Sequence, residues 1–302
     1  MPTASLRDDL TVIEDAPAKI NLALHVTGQR SDGYHLLDML VTFTRHGDRL
    51  QFTPAEQDEF EISGRFAEAL GDSHDDNLVL KARDLLRDAI AREGGSTPSV
   101  RIQLQKNLPI ASGIGGGSAD AAATLRGLMR LWDASLPPET VAAIAVRLGA
   151  DVPMCLASQP LVARGIGEKI TLVNDMPIFA IVLANPLKGV STPEVFGKLT
   201  TKTNPPLDMT ARPSWVETIG AMRNDLEPVA REILPEIAAI SAMLKAQGAS
   251  LVRMSGSGAT CYGIFASLAA AQGAAAMLHN DRPDWYFEAT ETIAGGRDAR
   301  AG

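Results

Sequence analysis

The stretch "LPIASGIGGGSADAAATL", Leu108 to Leu125, constrains this chain more than any other. Glycines stand at Gly113, Gly115, Gly116 and Gly117, and a helix-forming alanine run follows at once. Glycine takes positive φ freely and has no Cβ, so successive N–H groups can converge on an anion. The helix that follows adds unpaired N–H groups and the positive end of its dipole at the same spot. Ser118 suits a helix N-cap or a direct contact to phosphate. A mobile linker is the plain alternative, but linkers rarely open a strong helix. A lysine-bearing phosphate loop is excluded, because no Gly-Lys-Ser/Thr closes the run. A dinucleotide turn also fails: residues 106 to 112 separate the glycines from the preceding strand, and Asp133 ends a helix instead of a second strand. Asp120, in the first helical turn, favours the dipole yet repels a phosphate. It either points away or faces a Mg²⁺ that the phosphates carry.

Around this loop the periodicities alternate between strand and helix. "TVIED" and "KINLALHVTG" read as strands broken at Ala16-Pro17, with Lys19, Asn21, Ala23 and His25 on one face. "LVTF", "RLQFTP", "EFEISG" and "SVRIQLQKNL" are further strands, and Leu78 to Ala91 is a helix. A helix reaches about Leu131, and another runs through "PPETVAAIAVRL" to a stop at Gly149. Beyond a seam near residues 155 to 165 come strands "PLVARGIGEKITLV" and "IFAIVLANP", then a polar, proline-rich segment from Lys202 to Pro213. A helical pair, a strand–turn–strand through "SGSGAT", a helix and a last strand complete the pattern, and the tail "AGGRDARAG" reads as disordered. The class is α+β.

Composition narrows the partners. The chain has 302 residues, 45% hydrophobic and 21% charged, with net charge −8, which suits a substantial core and argues against a nucleic-acid footprint. Cys155 and Cys261 lie far apart and read as small core residues, not as a disulfide or zinc site. The start is acidic without an apolar segment, and no apolar run approaches ~20 residues, so a cytoplasmic protein that spans no membrane is expected.

Three constellations complete a pattern: "APAKINLALHVTGQRSDGYHLLDML", the glycine loop, and "VRMSGSGATCYGIF". With "DNLV", "LGADVP", "STPEVF" and "NDLE" between them, they resemble the GHMP kinase superfamily, whose members phosphorylate small-molecule alcohols with ATP. The resemblance spans roughly residues 16 to 265. It implies a two-lobed fold with the active site in the cleft between the lobes, an ATP-binding catalytic domain over 1–158 and a substrate-binding domain over 159–302. The wording is nearest to a branch whose acceptor carries a cytidine diphosphate; "VTGQRSDGYH" and "STPEVF" favour it over homoserine or mevalonate as acceptor.

Lys19 and Asp151 match the catalytic pair: Asp151 accepts the proton of the attacking hydroxyl, and Lys19 steadies the carboxylate and offsets charge. Taken alone, Asp151 is an ordinary turn-capping aspartate and Lys19 a solvated strand lysine. ATP, with Mg²⁺, would be held by Pro109, Ile110, Ala111, Ser112, Gly113, Ile114, Gly115, Gly116, Gly117, Ser118 and Ala119. Asn77, Leu78 and Lys106 match the adenine side, and Asn77 also reads as the N-cap of its helix. For the acceptor, Tyr34 and Phe196 match a pyrimidine sandwich and His35 its hydrogen-bonding position. Asn21 and Thr192 match the sugar-alcohol end. Ala111-Ser112 and Asp120 depart from the family's commoner residues without removing a backbone donor. "RGIGEKI", 164 to 170, gains no role.

Overall fold

The computed structural model describes residues 10–70, 76–210 and 213–296. The expectations about the chain start and the final tail fall largely on residues 1–9 and 297–302, outside the described ones. The class is α+β, and the residues group into two compact units that interleave along the chain. Unit one takes the described parts of Met1–Pro17, Gly47–Ile110 and Gly116–Ala157; unit two takes those of Ala18–His46, Ala111–Gly115 and Ser158–Gly302.

Two long strands contribute residues to both units: β1 (Val12–Gln29) and β2 (His35–Pro54), which pair with each other. Each reads in sequence as two strands, and each is continuous. Pro17 lies in β1, which pairs with β2 off the main path of its sheet, and an edge strand is where a proline is accommodated. In β2, Gly47 carries the strand through "TRHGD": a Cβ there would collide with the Ala16 carbonyl, so only glycine lets the two backbones come this close.

In unit one, residues 49–54 of β2 pair antiparallel with β4 (Val100–Gln105), which pairs parallel with β3 (Glu59–Ser63). Val100, Ile102 and Leu104 alternate inward with period two, as read from sequence. Helices α1 (Leu78–Arg92), α2 (Gly116–Leu131), α3 (Pro138–Leu148) and the short α4 (Val152–Ala157) complete it; α4 is absent from the sequence reading. A Cβ at Gly127 would overlap the Phe52 ring, so α2 sits directly on the sheet.

In unit two, residues 37–41 of β2 pair with β5 (Leu161–Gly165), which pairs with β6 (Lys169–Leu172). "RGIGEKI" is the turn of this hairpin: Gly167 N–H donates to Arg164 O and Ile166 N–H to the Glu168 carboxylate. After β7 (Ala180–Asn185) come two short helices that periodicity did not reveal, α5 (Thr192–Gly197) and α6 (Trp215–Gly220). Then follow α7 (Glu227–Ile233), α8 (Glu236–Ala246), β8 (Leu251–Met254), β9 (Cys261–Phe265), α9 (Leu268–Asp281) and β10 (Tyr286–Glu291). The antiparallel sheet runs β10-β7-β9-β8. Among the described residues no helix is long and apolar enough to cross a membrane.

Candidate active site

In unit one a buried charge cluster ties the stem that precedes the glycine loop to the helix that follows it. Asp48 is 1% exposed and Lys106 and Asp120 3% each, so all three ionisable groups are taken from water. The Lys106 ammonium donates to the Asp48 carboxylate, and to Asp120 Oδ2 at 2.6 Å. Asp48 Oδ1 also accepts the N–H groups of Asn107 (2.6 Å) and Leu108 (2.8 Å), the stem that enters the loop. Asp120 is the fifth residue of α2, just past the first turn in which it is expected from the sequence. Breaking such a buried pair costs about 3 to 5 kcal/mol, so the stem and the helix start are held firmly. Burial pushes the Asp120 carboxyl up to about 8, with Lys106 opposing and Asp48 adding to the rise. The two carboxylates hold the Lys106 ammonium above its usual range although burial alone would lower it.

Beyond this clasp, α2 opens at Gly116, so Ser118 lies inside the first turn and is not the N-cap. Gly117 is exposed, and its nearest neighbour to a built Cβ is Leu78 Cδ1 at 3.6 Å. The helix thus presents its free N–H groups beside an uncluttered surface, the arrangement that receives phosphate. Asn77 caps α1, its Oδ1 accepting Val79 N–H at 2.9 Å, and Leu78 begins that helix. Asp151 is half-buried just before α4, its carbonyl accepting Cys155 N–H at 3.0 Å.

In unit two, β1 is buried on both faces from Ala18 to Val26, so the polar residues in it are not solvated. Lys19 is 3% exposed, Asn21 0% and His25 2%. Both side-chain atoms of Asn21 are buried without a hydrogen-bond partner among the described residues. A buried amide left unpaired is costly and points to a ligand that completes it. The loop residues Ala111–Gly115 lie along this strand: Lys19 N–H donates to Ile114 O at 2.9 Å. Gly113 (φ +76°) and Gly115 (φ +67°) take the left-handed conformation, as does Ala111 (φ +49°) at some strain. The "SGSGAT" turn joins them through Ser255, whose Oγ accepts Asn21 N–H and donates to Gly113 O, both at 3.0 Å. Thr260 N–H donates to Ser112 O at 3.1 Å.

A second group in unit two is aromatic. His35 stacks on Phe196 with ring centroids 4.8 Å apart, while Tyr34 is 63% exposed. Burial, then the nearby Lys202 charge, hold His35 below the usual imidazole range, so it is neutral at neutral pH. Its Nε2 is buried without a hydrogen-bond partner among the described residues. Thr192 Oγ1 and Ser257 Oγ hydrogen bond at 2.7 Å, tying α5 to the same turn.

The chain matches the family described as GHMP kinases N terminal domain over residues 77–159, and GHMP kinases C terminal over 211–283. A 4-diphosphocytidyl-2-C-methyl-D-erythritol kinase of Rhizobium etli (strain CFN 42) is 67% identical over 296 residues, covering 98% of this chain and 100% of that one. The chain belongs to the 4-diphosphocytidyl-2-C-methyl-D-erythritol kinase family of GHMP kinases. A crystal structure of a 4-(cytidine 5'-diphospho)-2C-methyl-D-erythritol kinase superposes with TM-score 0.80 at 31% identity, covering 94% of this chain and 100% of that one. An L. major mevalonate kinase shares the fold alone, with TM-score 0.68 at 15% identity over 98% of this chain and 99% of that one. This member of the family is therefore a small-molecule kinase that uses ATP.

For this kinase, the structure groups Lys19, Asn21 and Ala111–Gly115 in unit two, and His35 with Phe196 in the same unit. Asn77, Leu78, Lys106, Pro109, Ile110, the start of α2 and Asp151 fall in unit one. Lys106 has its ammonium committed to two carboxylates, so only its backbone and methylenes remain to face a nucleotide. The ring against Phe196 is that of His35, not Tyr34. Asp48 and Arg253 escaped the sequence reading, and Asn224 was quoted there without a role. Arg253 is buried and donates to Leu22 O (2.6 Å), Ile219 O (2.9 Å) and Met222 O (2.7 Å), carbonyls remote in sequence. Nothing in "HGDRL" or "VRM" signals burial, because the partners that permit it lie far along the chain.

Proposed function

We propose that this kinase transfers the γ-phosphoryl group of ATP to the 2-hydroxyl of 4-diphosphocytidyl-2-C-methyl-D-erythritol, a step of the non-mevalonate route to isoprenoids. The observation that carries the reading is Asn21: a fully buried amide with no partner among the described residues, two positions from buried Lys19 and bonded through Ser255 to the glycine loop. Such a strand places polar groups where a sugar alcohol can satisfy them. The two proteins named above as kinases of this acceptor, at 67% and 31% identity, support the choice among alcohols.

In this reading Asp151 accepts the hydroxyl proton, which contributes ~10² to 10⁴ in rate. Lys19 offsets the negative charge that spreads over the equatorial oxygens. The loop from Pro109 to Ala119 holds the phosphates by backbone N–H groups, with Asn77, Leu78 and the Lys106 backbone beside the adenine. Residues 1–158 carry the nucleotide machinery and 159–302 contribute acceptor recognition. Tyr34 offers the open face on which the cytosine stacks, worth ~1 to 3 kcal/mol. Phe196 holds His35, and the neutral ring presents its unpaired Nε2 to the base. Thr192 lines the sugar-alcohol end.

Mg²⁺ enters with ATP. Among the described residues no group of three or more His, Cys, Asp or Glu is set to hold a metal, and Asp120 is turned to Lys106. That donor set fits an ion carried mainly by phosphate oxygens, which is the usual habit of Mg²⁺. Its charge would assist transfer; the residues above do the positioning.

The test is ³¹P NMR of the purified enzyme with ATP, Mg²⁺ and the acceptor, beside an Asp151→Ala variant. The expected result is a new phosphomonoester formed in step with ADP, absent from the variant although it still binds ATP. ADP without a phosphorylated acceptor, or a variant as fast as wild type, overturns the reading.

A further inference from the structure

The "NDLE" segment has no part in the chemistry above, yet it closes a hydrogen-bonded circuit around it. Its backbone runs beside β1: Leu24 N–H donates to Arg223 O and Asp225 N–H to Leu24 O, both at 2.9 Å. The Asp225 carboxylate also accepts Val26 N–H at 2.8 Å. From this fixed base the Asn224 side chain reaches the "SGSGAT" turn. Its amide nitrogen donates to Met254 O at 2.9 Å and Gly256 O at 2.8 Å, the carbonyls on either side of Ser255. Its Oδ1 accepts Leu226 N–H at 3.0 Å. Asn224 is 4% exposed, so both donors and the acceptor are spent inside the protein.

Ser255, bracketed in this way, is fully buried and makes the two bonds that tie Asn21 of β1 to Gly113 of the loop. One hydroxyl thus joins the strand bearing Lys19 and Asn21 to the loop expected to carry the phosphates, and one amide fixes that hydroxyl. Building the circuit around an asparagine has a chemical reason. Aspartate has the same shape but would set a carboxylate oxygen against two carbonyl oxygens, with no hydrogen to donate.

We propose that Asn224, acting through Ser255, is a positioning residue that keeps the acceptor strand and the phosphate loop in register for phosphoryl transfer. The proposal rests on the kinase reading above. In-line transfer is sensitive to distance, and a displacement of about 1 Å costs about 10²-fold. The register therefore governs kcat at saturating substrates more than either KM.

The experiment is steady-state kinetics on Asn224→Asp, Ser255→Ala and the double variant, with rates normalised to the folded fraction from thermal melting. The expected result is a fall in kcat of at least about tenfold in each single variant, with the acceptor KM changed less than about threefold. The double variant should be no slower than the worse single one, since both act on one linkage. A kcat per folded molecule within about twofold of wild type in either single variant, or losses that multiply in the double, overturns the proposal. If Asn224→Asp does not fold, Ser255→Ala decides by the same criteria. Wild-type enzyme that fails to phosphorylate the acceptor rejects the kinase reading instead, so the two failures are distinct.

Discussion

Replacing Gly113 with alanine tests whether the loop owes its shape to glycine. The residue sits at φ +76°, and a Cβ there would lie 2.6 Å from both Ser255 O and Gly258 O. The left-handed conformation alone costs an L-residue about 1 to 2 kcal/mol. Relief of the two contacts demands that the loop or the turn move, adding about 1 to 3 kcal/mol. The turn has little freedom, because Ser255 O accepts Gly258 N–H at 3.1 Å and Asn224 holds both flanking carbonyls. A cost of at least about 2 kcal/mol then falls on the loop conformation that receives phosphate. Its population drops about thirtyfold, and the apparent affinity for ATP weakens by that factor. Isothermal titration with a non-hydrolysable ATP analogue measures it. Gly117→Ala is the control for protein strain: it is helical, with 3.6 Å to its nearest neighbour, so its melting temperature should hold or rise slightly. An alanine at 113 that binds the analogue as wild type does would refute the reasoning.

Two other perturbations follow from the geometry. Asp120 is an acid held above its unfolded value, so folding takes up a proton and stability falls as pH rises from 3.8 through about 8. Asp120→Asn removes that component; its melting temperature should decline less than wild type between about pH 5 and 8, and an identical decline would mean the carboxyl is not so held. Tyr34→Ala should raise the acceptor KM about five- to a hundredfold with little change for ATP, and equal changes in both would exclude stacking.

Local chemistry was legible in the sequence where neighbours along the chain determine it. The Asn77 cap, the alternating β4 and the glycine loop opening α2 all depend on residues within a few positions. Features set by distant partners were not. Pro17 looked like a break because the strand's place in its sheet is invisible locally, and the need for glycine at 47 shows only when Ala16 is seen against it. Asp48 and Lys106, 58 positions apart, are buried only because each neutralises the other. Asp120, the acid that seemed misplaced beside a phosphate site, belongs to that pair as its third member. The "NDLE" motif could be quoted but not interpreted, since its partners lie on β1 and at residues 254 to 256.

The choice of acceptor is measured by a competition. The enzyme is given limiting ATP with equal concentrations of 4-diphosphocytidyl-2-C-methyl-D-erythritol, homoserine and mevalonate, and the phosphorylated products are separated by mass. Essentially all phosphate should appear on the cytidine-diphosphate acceptor. Phosphate on homoserine or mevalonate, with none on the first, would contradict it.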